Sequence, residues 1–166
     1  MLRRCFLPGL VLVVVACARD VTTDSSPSDS ALRAEVEAAM QRYMVAARRV
    51  NADSMAASFA TNGELLEPGI PVIASRESIR AFMSSFPGVR VDSATVVADT
   101  IEVAKNIAHY WGSYFERLAF PGQPASEQHG RFVIEWVREA DGPWLIRRYY
   151  RIPLTTSTAP DSARPT

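Results

Sequence analysis

Residues 107–118 alternate between two faces, and the residue types on those faces differ in kind. Ala108, Tyr110, Gly112, Tyr114 and Glu116 share one side of the implied strand; Ile107, His109, Trp111, Ser113 and Phe115 share the other. Small residues at 108 and 112 suit a concave face that a helix or a ligand approaches closely. In that register Tyr110 and Tyr114 line a cavity with Phe132, Ile134 and Trp136 from the next strand and Tyr149 from the last. Such a lining is apolar with a few hydroxyls and suits a flat hydrophobic ligand; the alternative is that the same rings simply fill a core. His109 then faces away with Trp111 and Phe115, a surface that would suit a homodimer. His129, beside Gly130 at a strand start, reads as solvated. Arg147, Arg148 and Arg151, next to Tyr149 and Tyr150, either clamp a carboxylate and stack on rings or form the charged outer face of a sheet.

Other chemistries are excluded by what the chain lacks. Two isolated histidines and no cysteine beyond Cys17 leave no metal-ligand spacing and no thiol nucleophile. There is no P-loop, no dinucleotide glycine fingerprint and no Gly-x-Ser-x-Gly elbow. No cofactor is implied. Basic and acidic residues balance at 18 each, so nothing points to nucleic acid.

The leader makes a separate statement about location. Arg3 and Arg4 precede an apolar run over 6–16 that stops at Cys17. The run is too short for a permanent spanning helix, which needs about 20 residues, and fits the apolar region of a secretory signal. Its end looks like that of a bacterial lipoprotein signal peptide. That resemblance implies cleavage before Cys17, lipidation of Cys17, and a membrane partner. Ala18 follows the cysteine where an aspartate would signal inner-membrane retention, so the expected place is the outer membrane, facing the periplasm. Ala16-Cys17-Ala18 also satisfies an ordinary signal peptidase, which would cut after Ala18 and release a soluble protein.

The elements that must position the candidate residues can be read in order. Residues 17–30 are rich in Ser, Thr, Asp and Pro and read as a flexible tether; 155–166 read as a disordered tail. One domain is expected over 31–154. Leu32, Val36, Met40, Tyr43, Met44, Ala47 and Val50 form a helical stripe capped by Asp29 or Ser30. Asp53 caps a short second helix in which Met55 and Phe59 share a face, and Asn62-Gly63 makes a turn. Residues 64–67 are extended up to Pro68-Gly69. Ser75 caps a third helix with Ile79, Phe82, Met83 and Phe86 buried. Strands follow over 91–103, 107–118, 128–139 and 143–153, with turns at Lys105-Asn106 and Asp141-Gly142. The expected class is α+β, three N-terminal helices packed on a strongly curved antiparallel sheet.

This order resembles the nuclear-transport-factor-2-like superfamily, which includes ketosteroid isomerases and SnoaL-like polyketide cyclases. The stretches that carry the resemblance are Tyr43-Met44-Val45-Ala46, residues 53–59, Glu67-Pro68-Gly69, residues 75–82, and 132–146 around Trp136, Asp141-Gly142 and Trp144. Ser75 departs from the glycine often found there. The resemblance implies a curved sheet around a cone-shaped cavity closed by helices. It places Glu67 where ketosteroid isomerases carry their general base, and Tyr43 near their oxyanion-donating tyrosine. A carboxylate in an apolar pocket can move a proton from carbon, and a buried tyrosine hydroxyl can steady the enolate. The third group of that constellation would fall near Ile134, where no acid stands; Glu135 points the other way. Cyclases of the superfamily often use a histidine, so a shifted register would bring His109 in. Two functions stay open: a membrane-anchored module binding a small hydrophobic ligand or a protein, and an isomerase, cyclase or hydrolase using Glu67 as base.

Overall fold

A computed structural model describes residues 28–140 and 142–157. Cys17, the leader, nearly all of the expected tether, Asp141 of the expected hairpin turn and the last nine residues lie outside the described residues. The elements are α1 (Asp29–Arg48), α2 (Ala52–Ala57), β1 (Phe59–Leu66), β2 (Ile73–Ala74), α3 (Arg76–Ser84), β3 (Arg90–Ala104), β4 (Ile107–Ala119), β5 (Ser126–Val137) and β6 (Leu145–Ser157). The class is α+β, with helices packed on one face of a six-stranded sheet ordered β2-β1-β6-β5-β4-β3.

The sheet is mixed rather than wholly antiparallel. β3 to β6 form the antiparallel meander read from the sequence, but β1 runs parallel to β6. β1 leaves α2 directly and fills the free edge of β6 from the helical side. There the Ile146 amide donates to the Ser58 carbonyl at 2.8 Å. That edge also accounts for two differences from the expected elements. Phe59 does not continue α2; it opens β1 opposite Ile146 and is fully buried. Ladder pairing along a whole strand outweighs the weak preference of one more helical turn. Asn62-Gly63 lies inside β1 at a register shift, not at a turn. A Cβ on Gly63 would stand 2.9 Å from the Ile146 carbonyl oxygen.

Helix caps differ in the same local way. Ser28 caps α1, accepting from the Ala31 amide at 3.3 Å, and Asn51 caps α2, accepting from Ser54 at 2.9 Å. Asp53 is instead an exposed ion-pair partner of Arg80, linking α2 to α3. Ser75 does cap α3, through the Ser78 amide at 3.2 Å, and its own φ is +80°. That left-handed backbone is where glycine is at ease and a serine is strained.

Register shifts in β3 (91/93 and 98/100) and between β5 and β6 (129/130 and 135/136) bend the sheet around α1. Gly112 serves this bend. A Cβ there would meet the Val97 carbonyl oxygen of the bulged neighbour at 2.0 Å. The close approach is thus made by the adjacent strand, not by a helix or ligand. α1 is held over the sheet at both ends. Arg48 donates through its guanidinium to the Ala94 carbonyl at 3.0 and 2.8 Å. At the other end Glu35 accepts from Arg138 at 2.5 Å and from the Trp144 indole at 3.0 Å.

Candidate functional site

The concave side is filled at one end and hollow at the other. Leu32, Val36, Ala39 and Met40, from the first part of α1, are buried in one core cluster with Ile101, Ala108, Tyr110, Phe132, Ile134, Trp136, Trp144 and Ile146. Under the second part of α1 a cavity of about 240 Å³ opens. Tyr43, Met44 and Ala47 of α1 form one wall; Phe82, Met83 and Phe86 of α3 and its exit form another. Val91, Ala94 and Val96 of β3, Tyr114 and Leu118 of β4, and Tyr149 of β6 complete an apolar surround. The polar groups are few: Glu67, Glu116, Arg151, Gln128, Thr95 and the tyrosine hydroxyls.

Of the candidate site residues named from the sequence, Tyr43, Glu67, Tyr114, Tyr149 and Arg151 reach this cavity. Tyr110, Phe132, Ile134 and Trp136 do not. They share the concave face as the alternation demanded, but they sit at the filled end, where α1 packs directly on the sheet. Strand periodicity assigns a face; it does not say how far along that face a helix lies against it. His109 is on the outer face between Glu102 and Glu135, beside Trp111, which removes it from any cavity chemistry. His129 is exposed and lies against Phe115.

The rings are stacked in a chain that fixes the two deepest hydroxyls. Tyr110 packs on Phe132 at 5.4 Å, Phe132 on Tyr149 at 6.3 Å, Tyr149 on Tyr43 at 5.7 Å and Tyr43 on Phe59 at 6.2 Å, most of them edge to face. Burial raises Tyr43 far above the usual phenol range, with the nearby Tyr149, Glu116 and Glu67 adding to the rise and Arg151 opposing it. Burial likewise pushes Tyr149 up to about 12, against the pull of Arg151 and helped by Glu116, Tyr114 and Glu67. Both are therefore neutral hydrogen-bonding groups at physiological pH. The sign of the consequence follows. A phenol whose folded pKa lies above its unfolded value of 10.0 contributes stability that is intact below pH 10 and lost as pH rises through about 12. We expect the urea midpoint to fall over that window by the equivalent of roughly 2–3 kcal/mol for Tyr149. Tyr149→Phe should flatten the fall, as read by denaturation followed at several pH values with tyrosinate absorbance.

The arginine run divides between the two faces. Arg148 pairs with Glu64 at 2.9 Å and Glu135 at 3.5 Å, and Arg147 lies 3.9 Å from Glu135, all away from the cavity. Arg151 alone turns inward. It forms an ion pair with Glu116, and its guanidinium carbon lies 4.6 Å from the centre of the Tyr114 ring. Burial works against the Arg151 charge, but Glu116, Tyr149 and Glu67 outweigh it and hold the guanidinium protonated. The Tyr114 ring passes over Gly130, where a Cβ would lie 2.4 Å from its edge. Arg151 was among the residues read as able to hold a carboxylate or stack on a ring; its pairing with Glu116 was the part of the site that sequence reading missed. Its signal was present: an acid in the same alternation as Tyr110 and Tyr114, and a base two residues after Tyr149. Among the described residues no group of three or more His, Cys, Asp and Glu side chains could hold a metal ion.

Glu67 stands at the end of β1, immediately before the Pro68-Gly69 turn, in which Gly69 has φ +88°. It is half-buried on the cavity wall, close enough for its charge to act on Tyr43, Tyr149 and Arg151. A carboxylate, two neutral phenols and an internally compensated ion pair thus face one apolar hollow.

Residues 28–150 match the family model described as a SnoaL-like domain. Similar solved structures include a ketosteroid isomerase-like protein from Erwinia carotovora atroseptica, at TM-score 0.66 and 18% identity over 74% of this chain and 95% of that one. An NTF2-like protein from Cytophaga hutchinsonii gives TM-score 0.63 and 11% identity over 74% and 98%. A domain with a cystatin-like fold from Nostoc punctiforme gives TM-score 0.57 and 17% identity over 77% and 78%. At such identities these likenesses show the fold. No curated protein matches the chain.

Proposed function

The chain belongs to the family of SnoaL-like domains, and from that premise we propose that it is a lipid-anchored envelope protein whose cavity binds a compact hydrophobic small molecule. The observation that carries the binding function is the hollow itself: about 240 Å³, ringed by apolar and aromatic side chains, with its few polar groups gathered on shared walls. At about 30 Å³ per water in the liquid, that is room for a molecule of about two or three rings. The purified chain should bind the neutral fluorophore N-phenyl-1-naphthylamine with an emission increase. Ala47→Phe, which places a ring into the hollow from α1, should weaken that binding at least about tenfold while leaving the thermal midpoint nearly unchanged. Equal binding by both proteins would refute the assignment.

Anchoring at Cys17 is the second part of the proposal, supported by the apolar run that ends there. Among the described residues no helix is long and apolar enough to cross a membrane. The cavity is built from the far end of α1, and a helix of 20 residues is about 30 Å long. A chain tethered ahead of Ser28 enters α1 at the end opposite the hollow. Cys17→Ser should shift the protein from the membrane pellet to the soluble fraction; unchanged sedimentation would remove the anchor. A homodimer through the outer face belongs to the same proposal. Trp111, Val133 and Tyr150 are cross-strand neighbours there and leave an apolar row on that surface.

A second reading is proton transfer at carbon, with Glu67 as base and Tyr43 or Tyr149 as hydrogen-bond donor. It is favoured by their common cavity and by burial that keeps both phenols protonated. Exchange of an enolisable proton in a bound ketone, abolished by Glu67→Gln, would select it over binding alone.

A further inference from the structure

We propose that the ligand is a compact hydrophobic amine, bound as its cation, and that the cavity refuses carboxylates; this rests on the small-molecule reading above. Three charged side chains line the hollow: Glu67, Glu116 and Arg151. The arginine is the group that would ordinarily attract an anion, but one terminal amino group is held by Glu116; its buried Nε has no hydrogen-bond partner. Its guanidinium is ion-paired with Glu116 and stacked on Tyr114, and both members of the pair are largely enclosed, at 20% and 17% side-chain exposure. A carboxylate ligand would enter a wall that carries two acids, Glu67 and Glu116, against the single base Arg151. The pair being neutral as a unit, the wall keeps one uncompensated charge, the negative charge of Glu67.

The rest of the surround agrees with that sign. Tyr43 and Tyr149 stay uncharged, since burial raises both, so neither adds a second anion nor supplies a cation. Tyr43, Phe82 and Phe86 line the same hollow as the carboxylate. A cation gains from aromatic faces as well as from an acid, and a desolvated site strengthens both terms. Two charges about 5 Å apart at an effective dielectric of about 20 interact strongly enough to change an affinity by a hundredfold or more; partial screening at the mouth reduces that to an expected tenfold at least.

The test is calorimetric titration of the purified full chain at neutral pH with three probes of one shape: 2-naphthylmethylamine, 2-naphthalenemethanol and 2-naphthoate. The amine should bind at least about tenfold more tightly than the alcohol, and the carboxylate more weakly than either. Glu67→Gln should bring the amine-to-alcohol ratio close to one. The inference is overturned if the carboxylate binds as well as the amine, or if Glu67→Gln leaves the ratio intact. It is also overturned if the amine fails to bind while N-phenyl-1-naphthylamine does and Ala47→Phe excludes it; the binding function then stands without this ligand class. If neither the amine nor the fluorophore binds, both fail together.

Discussion

Alanine at position 112 is expected to destabilise the protein by about 3 kcal/mol or more. The added carbon would stand 2.0 Å from the Val97 carbonyl oxygen, 3.0 Å from its carbon and 3.2 Å from Ala98 Cα. All three are backbone atoms, so no side chain can rotate out of the way. They are where they are because β3 carries a register shift between Ala98 and Thr100, next to the residue that faces Gly112. Relieving the clash means undoing that bulge, and with it part of the bend that leaves the concave side hollow. Urea denaturation of Gly112→Ala should show a large drop in midpoint with little change in slope. A cost below about 1 kcal/mol would mean that the bulge moves freely and does not set the curvature.

Arg151→Met is expected to cost roughly 2–3 kcal/mol, and the double change Glu116→Gln/Arg151→Met to recover much of it. Removing one member of a buried pair leaves the other's charge desolvated, a loss of about 3–5 kcal/mol when burial is complete. Here about a fifth of each side chain remains exposed, which reduces the figure. Replacing both charges removes the orphan and leaves only lost packing on Tyr114. The comparison that matters is the coupling between the two sites, obtained from the four proteins of a double-mutant cycle. Additive costs would show that Glu116 and Arg151 act independently and that Arg151 is free to meet an anionic ligand.

Much of the architecture was legible because it depends on local pattern. The alternation of 107–118 assigned Tyr110, Tyr114 and Glu116 to the enclosed face and His109 to the outer one, since side chains on a strand can point only two ways. The helical stripe of Leu32, Val36, Met40 and Tyr43 and the serine cap at Ser75 follow equally from short-range geometry. Caps at Ser28 and Asn51 were missed by a residue or two, because several neighbouring side chains there could each accept the same amide hydrogen bond.

The order of residues along the chain already assigned each side chain to a face of its element, and left no thiol or metal-ligand spacing in the domain. Distance along those faces came from the packing of elements remote from one another in the chain. That packing set Phe132, Ile134 and Trp136 in solid core and Tyr149 at the hollow, and brought Arg151 onto Glu116 across 35 positions of chain. It also placed β1 parallel to β6. The physical reason is that periodicity is a property of consecutive residues, whereas a cavity exists only where α1 and α3 stop short of the sheet. That gap depends on bulges, crossing helices and the sizes of side chains far apart in the chain.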